Sequence, residues 1–227
     1  MNLPGPDALA AALARYEKRQ IPPLPGRTNH RHAGILLPLR WQGDTIQLVA
    51  TRRTSHLRDH AGEVVFPGGK PDPTDADLTA TALREAHEEL GIDQAQVLGS
   101  LSAIPLFTSD FRLFPTVARI DNTPLQPHPA EVAEVYELDL RRVLEGEHIL
   151  AIAWPDETGF PPSPVFEMGG AHNPLMYGGT AICLFELLEV LSRLSGQPLP
   201  PFDTTRWTWD MTVMGPRRLP VAKSSVS

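Results

Sequence analysis

Three carboxylates lie close together in the run Arg84-Glu85-Ala86-His87-Glu88-Glu89-Leu90-Gly91-Ile92. Residues three and four apart share a helix face, so Glu85, Glu88 and Glu89 fall within an arc of about 100°. Like charges at this spacing repel one another, and a divalent cation would remove the repulsion. Oxygen-only ligands suit Mg²⁺ and Mn²⁺, which usually bridge to substrate phosphates. The run therefore predicts a metal-binding helix that acts on a phosphate, and the alternative is a solvated acidic surface.

With the glycines before it, this run resembles the sequence box of the Nudix hydrolase family. The family pattern is Gly, five residues, Glu, seven residues, Arg-Glu, an aliphatic, any residue, Glu-Glu, any residue, Gly, an aliphatic. The matching residues are Gly69, Arg84, Glu85, Glu88, Glu89, Gly91 and Ile92. Asp75 replaces the first Glu, and its spacer to Arg84 has eight residues. Asp75 is expected either to support Arg84, as the family's Glu does, or to cap the helix.

A second motif precedes the box and resembles the coenzyme A pyrophosphatase branch of the same family. The branch pattern is Leu-Leu-Thr-x-Arg-Ser, three residues, Arg, three residues, Gly-x-Val-x-Phe-Pro-Gly-Gly. The residues that match in register are Thr51, Arg53, Arg58, Gly62, Val64, Phe66, Pro67, Gly68 and Gly69. This many matches in register over 21 positions make the resemblance to the branch specific.

Coenzyme A carries a diphosphate and a 3′-phosphate, and arginine forks phosphate oxygens in a bidentate manner. We therefore expect Arg53 and Arg58 to bind substrate. The resemblance adds further substrate-site residues, which are Gly62, Phe66 and Gly69. Arg52 alternates to the opposite strand face, and we expect it to be solvated or paired with an acid.

The resemblance also implies roles for the carboxylates. Glu85 and Glu89 would hold Mg²⁺ or Mn²⁺, Glu88 would be a further ligand or the base, and the Gly68 carbonyl would complete the metal shell. Glu131 lies where the family commonly has an acid that binds metal or activates water, although it could be a plain surface acid. Glu134 is a weaker candidate for the same role, and which glutamate is the base stays open.

The implied reaction is metal-dependent hydrolysis of the coenzyme A diphosphate to 4′-phosphopantetheine and 3′,5′-ADP. One alternative is a Nudix hydrolase of ADP-ribose, NADH, a dinucleoside polyphosphate or a nucleoside triphosphate. Another is a Nudix-like module that senses a nucleotide without cleaving it. Such degenerate modules usually lose box glutamates, whereas Glu85, Glu88 and Glu89 are all present.

Composition predicts an intracellular enzyme. The formal net charge is −7, which does not favour a nucleic-acid partner. The single cysteine, Cys183, forms no internal disulfide and fits a reducing compartment. No apolar run approaches the roughly 20 residues that span a bilayer, and no secretion signal is recognised. We expect a cytoplasmic monomer or homodimer that binds a small nucleotide-like molecule.

The apolar patterning predicts strands interleaved with two main helices, and hence an α/β/α sandwich with a mixed sheet, which is the Nudix fold. We expect an N-terminal helix and linker over residues 1–29, the Nudix domain over 30–195 and a Pro-rich tail over 196–227. The last main helix should span residues 180–194, after the glycines 178 and 179, which either admit a ligand or make a tight helix start. Disorder is the default for such a tail, but Trp207 and Trp209 suggest that part of it docks on the body or a partner.

Overall fold

The computed structural model describes residues 2–57 and 60–219. In these residues the α-helices are α1 (Pro6–Ala14), α2 (Leu78–Leu90), α3 (Leu140–Leu144) and α4 (Gly178–Ser195). The strands up to the middle of the chain are β1 (Arg31–Gln42), β2 (Thr45–Arg53), β3 (Val64–Val65), β4 (Gly68–Gly69), β5 (Ala95–Ser100), β6 (Ile104–Pro105) and β7 (Phe111–Ile120). The remaining strands are β8 (Val132–Asp139), β9 (Ile149–Ala153), β10 (Ser163–Pro164), β11 (Phe166–Glu167), β12 (Leu175–Met176), β13 (Phe202–Asp210) and β14 (Gly215–Arg218).

The main sheet is mixed and runs in the order β3-β2-β1-β7-β5. Strands β1 and β7 pair in parallel, with Leu36 opposite Thr116, whereas β1 and β2 form an antiparallel hairpin. The short strand β4 pairs with β1, and β8 adds to β2. The result is the mixed sheet that the alternation of strands and helices predicts.

Helices cover both faces of this sheet. On one face, Ala82, Ala86 and Leu90 of α2 pack with Leu36 and Val49 in one apolar cluster. The larger core lies on the other face, where α1 and α4 bury their apolar residues against the sheet. Cys183 is fully buried in this core, as an apolar helix residue is expected to be. The predicted α/β/α sandwich is therefore confirmed.

The C-terminal tail is part of a second sheet, in the order β10-β9-β13-β14. Strand β13 pairs in parallel with β9, and Trp209 stacks on Trp154 with ring centroids 4.7 Å apart and planes 26° from parallel. Phe107 and Phe160 make edge-to-face contacts with Trp154. The default expectation of disorder is wrong for residues 202–218, because burial of the indole rings offsets the cost of ordering a proline-rich segment.

The N-terminal helix occupies Pro6–Ala14 of the segment 1–29, in which the sequence predicts a helix and a linker. Strands β5 and β6 are separated at Ser102, whose backbone N–H donates to the buried Glu186 carboxylate at 3.1 Å. In the described part of the chain, no helix is long and apolar enough to cross a membrane.

The packing of the tail predicts a large effect of Trp209→Ala on stability. Trp209 is 5% exposed, so its removal should lower the free energy of unfolding by about 3 kcal/mol. Met211→Ala is the matched control in the same hairpin, because Met211 is 47% exposed and should change stability by less than about 0.5 kcal/mol. Urea denaturation measures both, and equal small losses would show that the tail is not docked.

Candidate active site

Helix α2 carries the acidic run. A side chain caps its N-terminus, and backbone conformation and hydrogen bonds fix its C-terminus. The Asp77 carboxylate accepts a hydrogen bond from the Ala80 N–H at 2.8 Å and caps the N-terminus. Gly91 ends the helix in the left-handed conformation, with φ of 66°. The last carbonyls bond to the following loop, since Leu90 accepts from the Gln126 N–H and Glu89 from the His128 N–H, each at 2.8 Å. The helix is therefore held at both ends.

Two glycines let the carboxylate face approach the backbone of β1 and β4. Gly69 pairs with Gly34, and a Cβ on Gly69 would lie 2.4 Å from Oε1 of Glu85. A Cβ on Gly34 would lie 2.2 Å from the carbonyl oxygen of Leu78. A side chain at Gly34 would push α2 away from the sheet, and one at Gly69 would displace the Glu85 carboxylate. The Glu85 carboxylate consequently lies against the glycine loop.

Arg84 organises the exposed part of the acidic face. Its Nε and Nη2 donate to the two carboxylate oxygens of Asp75 at 3.0 and 3.1 Å. These bonds lower the pKa of Asp75 to about 2. Because Asp77 caps the helix, Asp75 supports the arginine, and the alternative of Asp75 as the cap is wrong.

Arg84 also separates the box glutamates into two groups. Its Nη1 lies 3.0 Å from Oε1 of Glu85 and 3.1 Å from Oε2 of Glu88. Glu88 is 55% exposed and points to solvent. Burial raises the pKa of Glu85, against the opposing effect of Arg84. The three carboxylates share a helix face, but only Glu85 and Glu88 converge on Arg84.

Glu89 is the buried member, with 3% exposure. Burial raises the pKa of its carboxyl to about 8, and the positive charge of Arg53 acts in the opposite sense. Nη1 of Arg53 lies 3.8 Å from Oε1 of Glu89. Oε2 of Glu89 is buried and finds no hydrogen-bond partner in the described part of the chain. A buried carboxylate oxygen without a partner is costly, which indicates a group that the protein binds there.

Glu131 lies beside this buried carboxylate. Its charge contributes to the raised pKa values of both Glu85 and Glu89. Its backbone is held by two hydrogen bonds, from its N–H to the His128 carbonyl at 3.0 Å and from the Thr54 N–H to its carbonyl at 2.9 Å. Glu134, the weaker candidate, instead pairs with Arg52 at 2.7 Å and accepts from the Tyr136 hydroxyl.

Two of the three arginines in the upstream segment lie in the described part of the chain, and their surroundings differ. Arg53 faces the carboxylates, and its Nε is buried without a partner among the described residues. Arg52 is paired with an acid, as expected for the opposite strand face. Arg58 lies outside the described residues.

The remaining signature residues build the loop and its anchor in the core. Phe66 is 3% exposed in the main core, so its ring has no free surface for a substrate, and the expectation of a side-chain contact is corrected. Gly62 has φ of 74°, which favours glycine, and lies in the turn that returns the chain to β3. Gly68 and Gly69 form β4 beside the Glu85 carboxylate.

Sequence reasoning missed a tether between this loop and the C-terminal half of the chain. The Tyr177 hydroxyl lies near the Glu63 carboxylate, and burial together with the charge of that carboxylate raises the pKa of Tyr177. Nδ1 of His60 lies 2.9 Å from the same carboxylate. The Glu63 carbonyl accepts from the Arg53 N–H at 3.0 Å. Tyr177 also contacts the ring of Trp209 edge to face. Glu63 occupies a variable position of the upstream motif, so the pattern carried no signal for it.

The glycines after Tyr177 make a tight helix start. A Cβ on Gly179 would lie 2.3 Å from Cδ2 of Leu106, so Gly179 permits close packing of α4. The alternative of a ligand approach at this glycine receives no support.

The carboxylate oxygens of the acidic helix suit a divalent cation, although they do not form a complete coordination shell. Within residues 2–57 and 60–219, no group of three or more acidic, histidine or cysteine side chains forms a metal-binding cluster. The buried, unpartnered oxygen of Glu89 and the carboxylate of Glu85 against the glycine loop are nevertheless hard oxygen donors of the kind Mg²⁺ and Mn²⁺ use. Metal binding at Glu85, Glu88, Glu89 and Gly68 stays a prediction.

Comparison with known proteins defines the class. The NUDIX domain family matches residues 28–154, which is more than half of the chain. The uncharacterized Nudix hydrolase NudL of Yersinia enterocolitica is 39% identical over 139 residues, covering 60% of this chain and 70% of the relative. The corresponding protein of Photorhabdus laumondii is 44% identical over 131 residues, covering 55% and 68%. The chain therefore belongs to the Nudix hydrolase family.

Among solved structures, a MutT/nudix family protein from Enterococcus faecalis aligns over 83% of this chain and 74% of its own length. Its sequence identity is 16% and the TM-score is 0.49.

The raised pKa of Glu89 predicts a pH dependence of the metal-free protein. A carboxyl whose pKa rises from 4.5 to about 8 on folding contributes stability below about 4.5 that is lost as pH increases to 8. The free energy of unfolding should therefore fall between pH 5 and pH 8, and Glu89→Gln should flatten that slope. Denaturant titrations with a chelator at several pH values measure the slope. An identical slope in Glu89→Gln would contradict the assignment.

The Tyr177 tether predicts local loosening in Tyr177→Phe, which removes one hydroxyl and little volume. Removal of the hydroxyl from beside the Glu63 carboxylate should destabilise the turn at Gly62 and Glu63 by about 1 kcal/mol. Amide hydrogen exchange there should accelerate about fivefold, since that energy corresponds to this factor. Tyr16→Phe is the control, because its hydroxyl lies near the distant Glu186. Equal exchange in both variants would disprove the tether.

Proposed function

We propose that this Nudix hydrolase cleaves the diphosphate of coenzyme A or its derivatives to 4′-phosphopantetheine, or its acyl form, and 3′,5′-ADP. The observation that carries the proposal is the position of Arg53, 3.8 Å from the buried Glu89 carboxylate. Arg53 belongs to the upstream motif of the coenzyme A branch and Glu89 to the Nudix box. The cation for the diphosphate and the carboxylates for the metal therefore meet at one place.

Glu85 and Glu89 are the residues that would hold Mg²⁺ or Mn²⁺, with Glu88 and the Gly68 carbonyl as further donors. A bound divalent cation neutralises diphosphate charge and lowers the pKa of a coordinated water. The buried oxygen of Glu89 would gain the partner that it lacks. Glu88 would have to leave Arg84, which its exposed side chain is free to do.

Among the acids, Glu131 is better placed than Glu88 to accept a proton from the attacking water. Glu131 lies close enough to Glu85 and Glu89 to raise the pKa of both, and its backbone is fixed at both ends. Glu88 instead reaches outward to Arg84. We therefore assign Glu131 as the general base and Glu88 as a metal donor.

The reaction is a displacement at phosphorus. Water attacks one phosphorus of the diphosphate while its proton passes to Glu131, and the bond to the bridging oxygen breaks. Arg53 forks the non-bridging oxygens and offsets the charge that develops on them. Positioned cations contribute most of the rate in such reactions, since little covalent chemistry is left to the protein. The cytoplasm, where coenzyme A and free divalent cations are present, is the compartment that fits this proposal.

Product analysis by chromatography tests the substrate. The purified protein is incubated with Mg²⁺ or Mn²⁺ and a panel of coenzyme A, acetyl-coenzyme A, NADH, ADP-ribose and dATP. Preferential formation of 3′,5′-ADP from coenzyme A supports the proposal. Preferential cleavage of another compound would retain the Nudix class and overturn the substrate. Tight binding of coenzyme A without any cleavage would favour the nucleotide-sensing alternative.

The carboxylate roles predict a graded loss of kcat. Glu89→Gln should reduce kcat by at least about 10³-fold, because it removes a buried metal donor that stabilises the transition state. Glu131→Gln should reduce kcat by about 10²- to 10⁴-fold as the loss of a general base. Glu17→Gln removes the same charge from an exposed N-terminal position and is the control.

Circular dichroism separates these losses from unfolding. Glu89→Gln should fold normally, because the site already favours the neutral form of the side chain. Retention of most activity in folded Glu89→Gln would overturn the metal assignment.

A further inference from the structure

Two cations share one aromatic ring beside the glycine loop. The guanidinium carbon of Arg31 lies 4.2 Å from the ring centroid of Phe111, and Nζ of Lys70 lies 5.7 Å from the same centroid. The parallel pairing of β1 and β7 sets Arg31 directly opposite Phe111. These three residues, Arg31, Lys70 and Phe111, are called the two-cation clamp below.

Among the residues that the structure describes, neither cation of the clamp has an acidic partner. Within the described residues, no ion pair joins Arg31 or Lys70 to a carboxylate. The adjacent acid, Asp110, directs its carboxylate to the Thr28 and Asn29 N–H groups at 2.8 and 3.4 Å. A cation–π contact at an exposed site contributes only about 0.5–1 kcal/mol, so the ring holds each cation weakly and leaves its charge able to pair with an anion.

Arg112, which follows Phe111 in β7, uses its guanidinium in hydrogen bonds within the fold. Nη1 of Arg112 donates to the carbonyls of Ile21 and Ala103 at 2.8 and 3.3 Å, so this guanidinium supports the fold. Arg31 and Lys70 make no comparable hydrogen bonds with their side chains in the part of the chain described. Their charges are therefore available to a ligand.

The clamp lies next to the proposed catalytic carboxylates. Lys70 follows Gly69, whose missing side chain makes room for the Glu85 carboxylate. The Lys70 carbonyl accepts a hydrogen bond from Nη2 of Arg84 at 3.1 Å, which fixes the backbone at this point. The Lys70 side chain then turns from the carboxylates toward Phe111. A ligand that spans the carboxylates and the clamp needs two separate anionic groups.

We propose that the two-cation clamp binds the phosphomonoester that coenzyme A carries on its ribose, the 3′-phosphate. This inference rests on the proposed function, and it divides the phosphates between two sets of residues. Arg53, facing Glu89, binds the diphosphate, and Arg31 and Lys70 bind the additional phosphate on the ribose. The clamp thereby selects coenzyme A over its 3′-dephospho form.

Binding of products tests the clamp without turnover. Isothermal calorimetry compares the affinities of the protein for 3′,5′-ADP and for 5′-AMP, which lacks the additional phosphate. The unmodified protein should prefer 3′,5′-ADP by at least about tenfold, as charge-assisted hydrogen bonds of this kind provide. Lys70→Ala and Arg31→Ala should each remove most of that preference, and Lys70→Arg should restore it. Equal affinities for the two nucleotides in the unmodified protein would overturn the inference.

Hydrolysis provides the second measurement. The ratio of kcat/KM for coenzyme A to that for 3′-dephospho-coenzyme A should fall about tenfold in Lys70→Ala and Arg31→Ala. Arg193→Ala removes an exposed cation from the end of α4 and should leave the ratio unchanged. An unchanged ratio in both clamp variants, with efficient cleavage of coenzyme A, would overturn the clamp and leave the proposed function standing. A retained binding preference for 3′,5′-ADP, with no hydrolysis of either compound, would overturn the function and support the clamp.

Discussion

The burial of the Glu89 carboxylate is the constraint around which the site is built. A carboxylate with 3% exposure is costly to ionise, and its second oxygen has no partner among the described groups. The fold provides Arg53 on one side, but at 3.8 Å the guanidinium offsets the burial only in part. Burial therefore favours the neutral form of this carboxyl. In the function that we propose, metal binding would require the carboxyl to ionise, which would couple proton release to metal binding.

The glycine loop makes that burial compatible with catalysis. Because Gly34 and Gly69 lack side chains, α2 packs closely on β1, and the Glu85 carboxylate lies against the backbone of β4. Arg84 pairs with the carboxylates of Asp75, Glu85 and Glu88. The acidic face thus has carboxylates that share Arg84 and a buried one, Glu89, that is paired only loosely with Arg53.

The C-terminal sheet contacts the loop beside the site from outside the segment that matches the family. Trp209 contacts Tyr177 edge to face, and the Tyr177 hydroxyl lies near Glu63 in the loop that follows Arg53. A residue of β13 therefore connects through Tyr177 to the loop next to the proposed diphosphate site. The family match ends at residue 154, so this support is contributed by a part of the chain that lies outside it.

Much of the fold was predictable because the patterns were local. The acidic run predicted a helix, and α2 spans Leu78–Leu90. The apolar patterning predicted a last main helix over 180–194, and α4 spans Gly178–Ser195. The strands β9 to β14 were not recognised, since they are short or proline-rich and become strands only by pairing with distant segments. The aromatic rings that hold them lie as far apart in the chain as Phe107 and Trp209. Local propensity carries little information about such pairing.

The sequence by itself determined the chemical inventory of this protein: the acidic helix, the glycine loop before it, the arginines upstream and the family to which these motifs belong. Only the tertiary structure decided which of these residues are buried, which are paired and which cap the helix. It separated Glu89 from Glu88 by burial, assigned Asp75 to Arg84 and Asp77 to the helix cap, and placed Phe66 in the core. The physical reason is that desolvation and ion pairing depend on neighbours from remote segments, such as Arg53 and the loop that carries Glu131. Residue types and spacing restrict those neighbours but do not specify them.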